Sequence, residues 1–160
     1  MVIDDNIIKI IKELHTKLEQ TGVQWILTGS TALAMRGVDI QTNDIDILTN
    51  RKDVKSIDKI LNNYRIQYPD LSETNNYRSY YGIYEIDGIK IDLMGDFQYK
   101  LKNSKWSDTN QNNKIEFVDF HGMPLPMLTL QQELKEYENT DRQDTVLKIK
   151  EYLEKTTTTS

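Results

Sequence analysis

The sequence predicts an α/β domain of the α+β kind: a mixed β-sheet with helices mainly on one face. Three observations predict it. Helical and strand periodicities alternate along the chain instead of forming one type throughout. The pair Asp87-Gly88 sits between two alternating apolar runs, the strongest short-range signal for a hairpin. Short apolar runs at 23–28 and 44–49 are each followed by a helical pattern, as strands covered by helices would be.

The elements follow in order. Residues 4–21 form an amphipathic helix, with Ile7, Ile8, Ile11, Leu14 and Leu18 on one stripe, Asp4 or Asp5 at its start and Gly22 at its stop. Val23–Thr28 is a strand, which Gly29-Ser30 breaks. Thr31–Arg36 has small side chains and high helix propensity, and Gly37 ends it. Asp44–Thr49 alternates as a strand. Asp53–Asn63 is a second amphipathic helix with Val54, Ile57, Ile60 and Leu61 inward. Arg65–Tyr68 is a short strand that stops before Pro69. Tyr80–Ile86 and Ile89–Met94 form the hairpin. Residues 102–114 are polar loop, and Ile115–Phe120 is a strand. Pro124 and Pro126 keep the next segment extended. Thr129 caps a helix from Leu130 to about Glu138, and a last helix spans Asp141–Lys155.

Composition narrows the function classes. With 160 residues and no long linker, the expectation is one domain over 1–155 and a disordered tail at 156–160. There is no cysteine, which removes disulfides, thiol nucleophiles and zinc–thiolate sites. No apolar run reaches the roughly 18 residues of a membrane span, and the N-terminus lacks a signal-peptide pattern, so a cytoplasmic protein with no membrane partner is expected. The net charge of −5 argues against a long nucleic acid as partner, because phosphate binding calls for a basic face.

The chemistry gathers around residues 26–50. Alternation puts Asp44 and Asp46 on one face of a strand, roughly 6–7 Å apart, and Ile45 and Ile47 on the other. In Ile89–Met94 the same rule groups Ile89, Ile91 and Leu93, and sets Lys90, Asp92 and Met94 opposite. If both strands share a sheet with their apolar faces together, Asp92 joins Asp44 and Asp46. Three carboxylates on one patch repel unless a cation offsets them, and hard oxygen donors suit Mg²⁺. Register favours Asp92 over Asp87 or Asp96 as the third member. Gly29-Ser30, at the end of a strand and the start of a helix, presents free N–H groups and the positive end of a helix dipole, an anion site. A phosphate beside a metal is the arrangement of phosphoryl or nucleotidyl transfer.

The pattern Leu27-Thr28-Gly29-Ser30, thirteen intervening residues, then Asp44-Ile45-Asp46, with Asp92 on a later strand, resembles the DNA polymerase β-like nucleotidyltransferase superfamily. It is most similar to small single-domain members such as the lincosamide nucleotidyltransferases and minimal or antitoxin-type proteins. The Pro-containing segment and two helices after residue 123 resemble their ending, while 97–114 is left unaccounted for. The resemblance implies the nucleotidyltransferase fold and two Mg²⁺ ions, with Mn²⁺ as a substitute, held by Asp44, Asp46 and Asp92. It implies an NTP donor whose phosphates meet Gly29 and Ser30, and an acceptor hydroxyl, of unknown identity, that Asp92 helps to deprotonate. Lys135 and Arg142 match the basic residues that touch the phosphates in relatives. Gln143 stands before Asp144 where such endings often carry Lys.

Other readings stay in view. The calcium-loop reading of Asp44-Ile45-Asp46 fails, since Gly and Glu are missing at the sixth and twelfth positions. His15 and His121 have no ligand partner at suitable spacing. Tyr77, Tyr80, Tyr81 and Tyr84 read as cross-strand packing ahead of an acceptor pocket or a base-stacking surface. A nucleotide-binding regulatory or antitoxin-like module with little turnover is the alternative to an enzyme, and turnover separates the two. A structural domain with a relict site fits less well with three intact carboxylates.

Overall fold

The computed structural model describes residues 3–109 and 114–158, so the proposed loop at 102–114 lies partly outside the described residues. The first helix, α1 (Asp5–Glu19), is capped by the Asp4 carboxylate, which accepts from the Asn6 N–H. It buries Ile7, Ile10, Ile11, Leu14 and Leu18; Ile10, and not Ile8, completes the stripe, because Ile8 stands at its edge. Each such side chain removed from water contributes roughly 1.5–3 kcal/mol, so the docked face outweighs the helix's weak intrinsic propensity.

Strand β1 (Ile26–Thr28) passes directly into α2 (Gly29–Arg36), which stops at Gly37 in the left-handed region. Then come β2 (Ile45–Thr49) and α3 (Arg51–Leu61), whose cap is Asn50 accepting from the Asp53 N–H. After a short 3₁₀ turn at Asn62–Tyr64 follow β3 (Arg65–Glu73), β4 (Tyr77–Ile86) and β5 (Ile89–Tyr99). β6 (Ile115–Phe120) and β7 (Met123–Leu128) form a second hairpin. The chain ends in α4 (Leu130–Asn139) and α5 (Gln143–Thr158). The last helix therefore runs past Lys155, and 156–158 are helical where the sequence reading set a tail; residues 159–160 lie outside the described residues.

Two differences from the sequence reading concern the hairpin region. β3 continues through Pro69, because β3 is the edge strand and slips in register on either side of Gln67; a missing N–H is tolerated at an edge. β4 and β5 reach Tyr77 and Tyr99, beyond the expected Tyr80 and Met94.

Among the described residues, seven strands make one mixed sheet in the order β3-β4-β5-β2-β1-β7-β6. β2 and β5 run parallel, as do β1 and β7, while β1 and β2 are antiparallel. One face carries Ile45, Ile47, Ile91, Leu93, Leu125 and Met127, and forms the main core with α1 and α3. The opposite face carries Ile26, Leu48 and Leu128, with Met94 and Phe97 against them. Beside it, α2, α4 and α5 join through Leu33, Leu130 and Ile149. No helix among the described residues is long and apolar enough to cross a membrane.

Candidate active site

The site is built where the three central strands line up. Thr28 of β1 is the register partner of Asp46 of β2, and Asp46 is the partner of Asp92 of β5. Neighbouring strands lie about 4.8 Å apart, so three residues of one row face the same side. Alternation keeps Ile45, Ile47, Ile91 and Leu93 in the core and leaves Asp46 and Asp92 on the opposite face.

Gly29 makes the next contact. Its φ is 75°, in the left-handed region, and the Asp46 carboxylate packs against its backbone. Only a residue without a side chain allows that approach. Ser30 is half-buried in the first turn of α2. Asp44 stands one residue before β2, and its carbonyl oxygen accepts from the Thr31 hydroxyl at 2.6 Å, which pins the approach to the strand.

The electrostatics are those of crowded acids. Asp46 is pushed up to about 7, by burial first, then by the charge of Asp92 and a hydrogen bond with it, then by the charge of Asp44; Lys90 opposes this. Asp92 accepts a 2.6 Å hydrogen bond from the Tyr81 hydroxyl at Oδ1, and the Lys90 Nζ lies 3.4 Å from the same oxygen. Burial and that hydrogen bond to Asp92 push the Tyr81 hydroxyl up to about 12. Among the described residues no three His, Cys, Asp or Glu side chains form a ready-made metal cage. The donor set still fits a hard divalent cation: Asp46 and Asp92 are register partners on one face and in contact, and Asp44 acts on Asp46 through its charge.

Asp46 and Asp92 line a cavity of about 400 Å³ that also involves Gly29, Tyr81, Phe97, Tyr99 and Tyr137; Asp44 and Ser30 are not among its lining residues. Arg142 lines it too, with its guanidinium 5.3 Å from the centre of the Tyr137 ring. Lys135 is exposed on the outer face of α4 and does not line the cavity.

Glu133 is a site residue that the sequence reading missed. It is 2% exposed, lines the cavity, and accepts a hydrogen bond from the Thr28 hydroxyl. Burial, then the charges of Glu136 and Asp46, push it up to about 8, against the pull of Thr28 and Arg36. The signal was present: Leu130, Glu133 and Tyr137 recur at helical spacing, an acid on the inward stripe of α4. The tyrosines divide. Tyr84 is fully buried against Asp58, Tyr80 packs under Arg51, and Tyr77 and Tyr81 line the cavity.

Residues 10–149 match the family model described as aminoglycoside-2''-adenylyltransferase. The chain belongs to that family, and it is a nucleotidyltransferase. Three solved structures share its fold. A Thermotoga maritima protein, TM1012, described as a candidate nucleotidyltransferase, is 29% identical, covers 96% of each chain and superposes with a TM-score of 0.82. The antibiotic-resistance factor ANT(2'')-Ia is 12% identical, with 84% of this chain and 71% of that chain covered and a TM-score of 0.59. The lincosamide adenylyltransferase LnuA, solved with lincomycin bound, is 15% identical, with 93% and 97% covered and a TM-score of 0.57. No curated protein matches the chain.

Proposed function

We propose that this nucleotidyltransferase moves a nucleoside monophosphate from a Mg²⁺-bound NTP to a hydroxyl of a small-molecule or protein acceptor. One observation carries the reading: Asp46 and Asp92 are register partners with their side chains in contact, and Asp46 lies directly on Gly29 of the β1–α2 turn. A cation site and an anion site thus share one atom-scale neighbourhood.

Asp44 and Asp46 would hold the ion that grips the triphosphate, and Asp92 would complete a second site. When bound, Mg²⁺ or Mn²⁺ neutralises charge on the attacking and leaving oxygens. The turn at Gly29 and Ser30 receives the phosphates through backbone N–H groups. Of the two basic residues considered for the phosphates, Arg142 is the one placed at the cavity. The Tyr81 hydroxyl fixes the Asp92 carboxylate, which takes the proton of the acceptor hydroxyl. The acceptor oxygen bonds to the α-phosphorus as the bond from that phosphorus to the bridging oxygen breaks, and pyrophosphate leaves with the electron pair.

The family name and the lincomycin-bound relative make antibiotic hydroxyls the first acceptors to try. The test is to incubate the protein with Mg²⁺, labelled NTPs and a panel of aminoglycosides and lincosamides, and to follow pyrophosphate release. Asp46→Asn is expected to abolish transfer and to weaken NTP·Mg²⁺ binding. Transfer at the parent rate by that variant overturns the reading.

A further inference from the structure

The far end of the β4–β5 hairpin carries an aromatic surface that the transfer chemistry does not use. The Tyr77 and Phe97 rings stack with centroids 5.9 Å apart and planes 21° from parallel, and Phe97 meets Tyr99 at 6.3 Å. A bulge puts them there. Strict alternation from Asp92 and Met94 would send Asp96 and Gln98 into the cavity, and Phe97 and Tyr99 to the other face. The β4–β5 register slips by one between Arg78↔Gln98 and Tyr80↔Gly95, so Asp96 and Phe97 together face Ser79. Asp96 takes a φ of 50°, and its carboxylate accepts from the Arg51 N–H at 3.0 Å, which holds the bulge in place. Phe97 and Tyr99 thereby join Asp92 and Met94 in lining the cavity. Tyr99 is buried, with Asn139 and Gln132 of α4 near its hydroxyl. Tyr77, although stacked, stays 37% exposed at the cavity.

We propose that Tyr77 and Phe97 form the platform on which the donor's nucleobase stacks. The inference rests on the nucleotidyl-transfer reading of the same cavity. A nucleotide brings one flat ring at a fixed reach from its α-phosphate. With the bulged residue discounted, the strand advances four paired positions from Asp92 to Phe97, about 13 Å. A nucleoside, together with the two side chains that lean over the sheet, fills that span. Stacking uses the π face that every base has, so the platform accepts any of the four NTPs and grades them by ring area.

Two ligands separate the base from the phosphates: α,β-methylene-ATP, which resists transfer, and tripolyphosphate, which has no base. Their Mg²⁺ complexes are titrated against the parent, Phe97→Leu and Tyr77→Ala. Phe97→Leu keeps apolar volume against Ile26, Leu48 and Leu128, and a melting temperature near the parent's shows that the fold is intact. The parent is expected to bind the nucleotide about fivefold or more tighter than tripolyphosphate, the range base stacking gives. Each variant is expected to lose most of that margin and to keep its affinity for tripolyphosphate. The proposal is overturned if the parent has no margin, or if both variants retain it. Binding of neither compound by the parent overturns the nucleotidyl-transfer reading and the platform with it. Tripolyphosphate binding without a margin overturns the platform alone.

Discussion

The carboxylate of Asp46 rests on the backbone of Gly29 so closely that a methyl group added to Gly29 would lie 2.1 Å from its Oδ2. The β1–α2 turn at Gly29 and strand β2 at Asp46 are therefore fitted closely to each other. Gly29→Ala is expected to lower stability by about 1–3 kcal/mol, from the left-handed φ alone. It should lower kcat/KM by about 100-fold, because a displacement of about 1 Å at a reacting centre costs that much. Chemical denaturation and steady-state kinetics on one preparation check both numbers.

Asp46→Asn is expected to separate stability from activity. Three acids crowd at this point, and the native carboxylate is disfavoured by burial and by its neighbours. A neutral isostere relieves the repulsion, so the variant should be more stable than the parent at pH 7.5 without divalent ions, on the order of 1 kcal/mol or more. Calorimetry in EDTA measures it. A variant that melts below the parent would show that the pair is not under strain.

A second buried acid behaves oppositely. Asp58 is in the core and accepts from Arg65 at 2.6 and 2.9 Å and from the Tyr84 hydroxyl at 2.7 Å. Burial alone would raise its pKa, but these hydrogen bonds and the Arg65 charge outweigh burial and hold it below the ordinary 3.8. A carboxylate with a depressed folded pKa stabilises above its unfolded pKa, and the contribution fades as pH falls below about 4. Asp58→Asn should therefore cost about 1–3 kcal/mol at pH 7, with the gap to the parent closing toward pH 3. Urea unfolding at four pH values tests this.

Glu133 sets a pH dependence of the other sign. Its folded pKa is raised from 4.5 to about 8, so the unfolded chain releases a proton that the folded chain keeps. Stability tied to this residue is complete below about 4.5 and declines as pH rises toward 8. Glu133→Gln keeps the shape and an acceptor for the Thr28 hydroxyl but cannot ionise. Relative to the parent it should gain stability between pH 5 and pH 8, and a difference that stays flat over that range would contradict the assignment.

What the sequence could show depended on where its local rules hold. Asp46 and Asp92 were legible because no bulge interrupts β2 or the first half of β5, so alternation assigns their face correctly. The Thr129 cap was legible because it is a local interaction, between its side chain and the Gln132 N–H. Phe97 and Tyr99 were hidden because one inserted residue near Asp96 reverses the alternation, and only cross-strand register shows it. Pro69 misled because a proline stops a central strand and not an edge strand, and edge position is a tertiary fact. Glu133 was overlooked because its environment comes from Thr28, 105 residues away.

That same separation has a consequence for how the protein is made. β1 sits between β2 and β7, and β7 belongs to the last third of the chain. While the ribosome is still translating the middle of the message, Thr28 lacks Glu133, and one edge of a buried strand is open to stray pairing. The nascent polypeptide must wait for its final helices before it can become an enzyme, and such long-range closure slows maturation relative to a chain of local contacts.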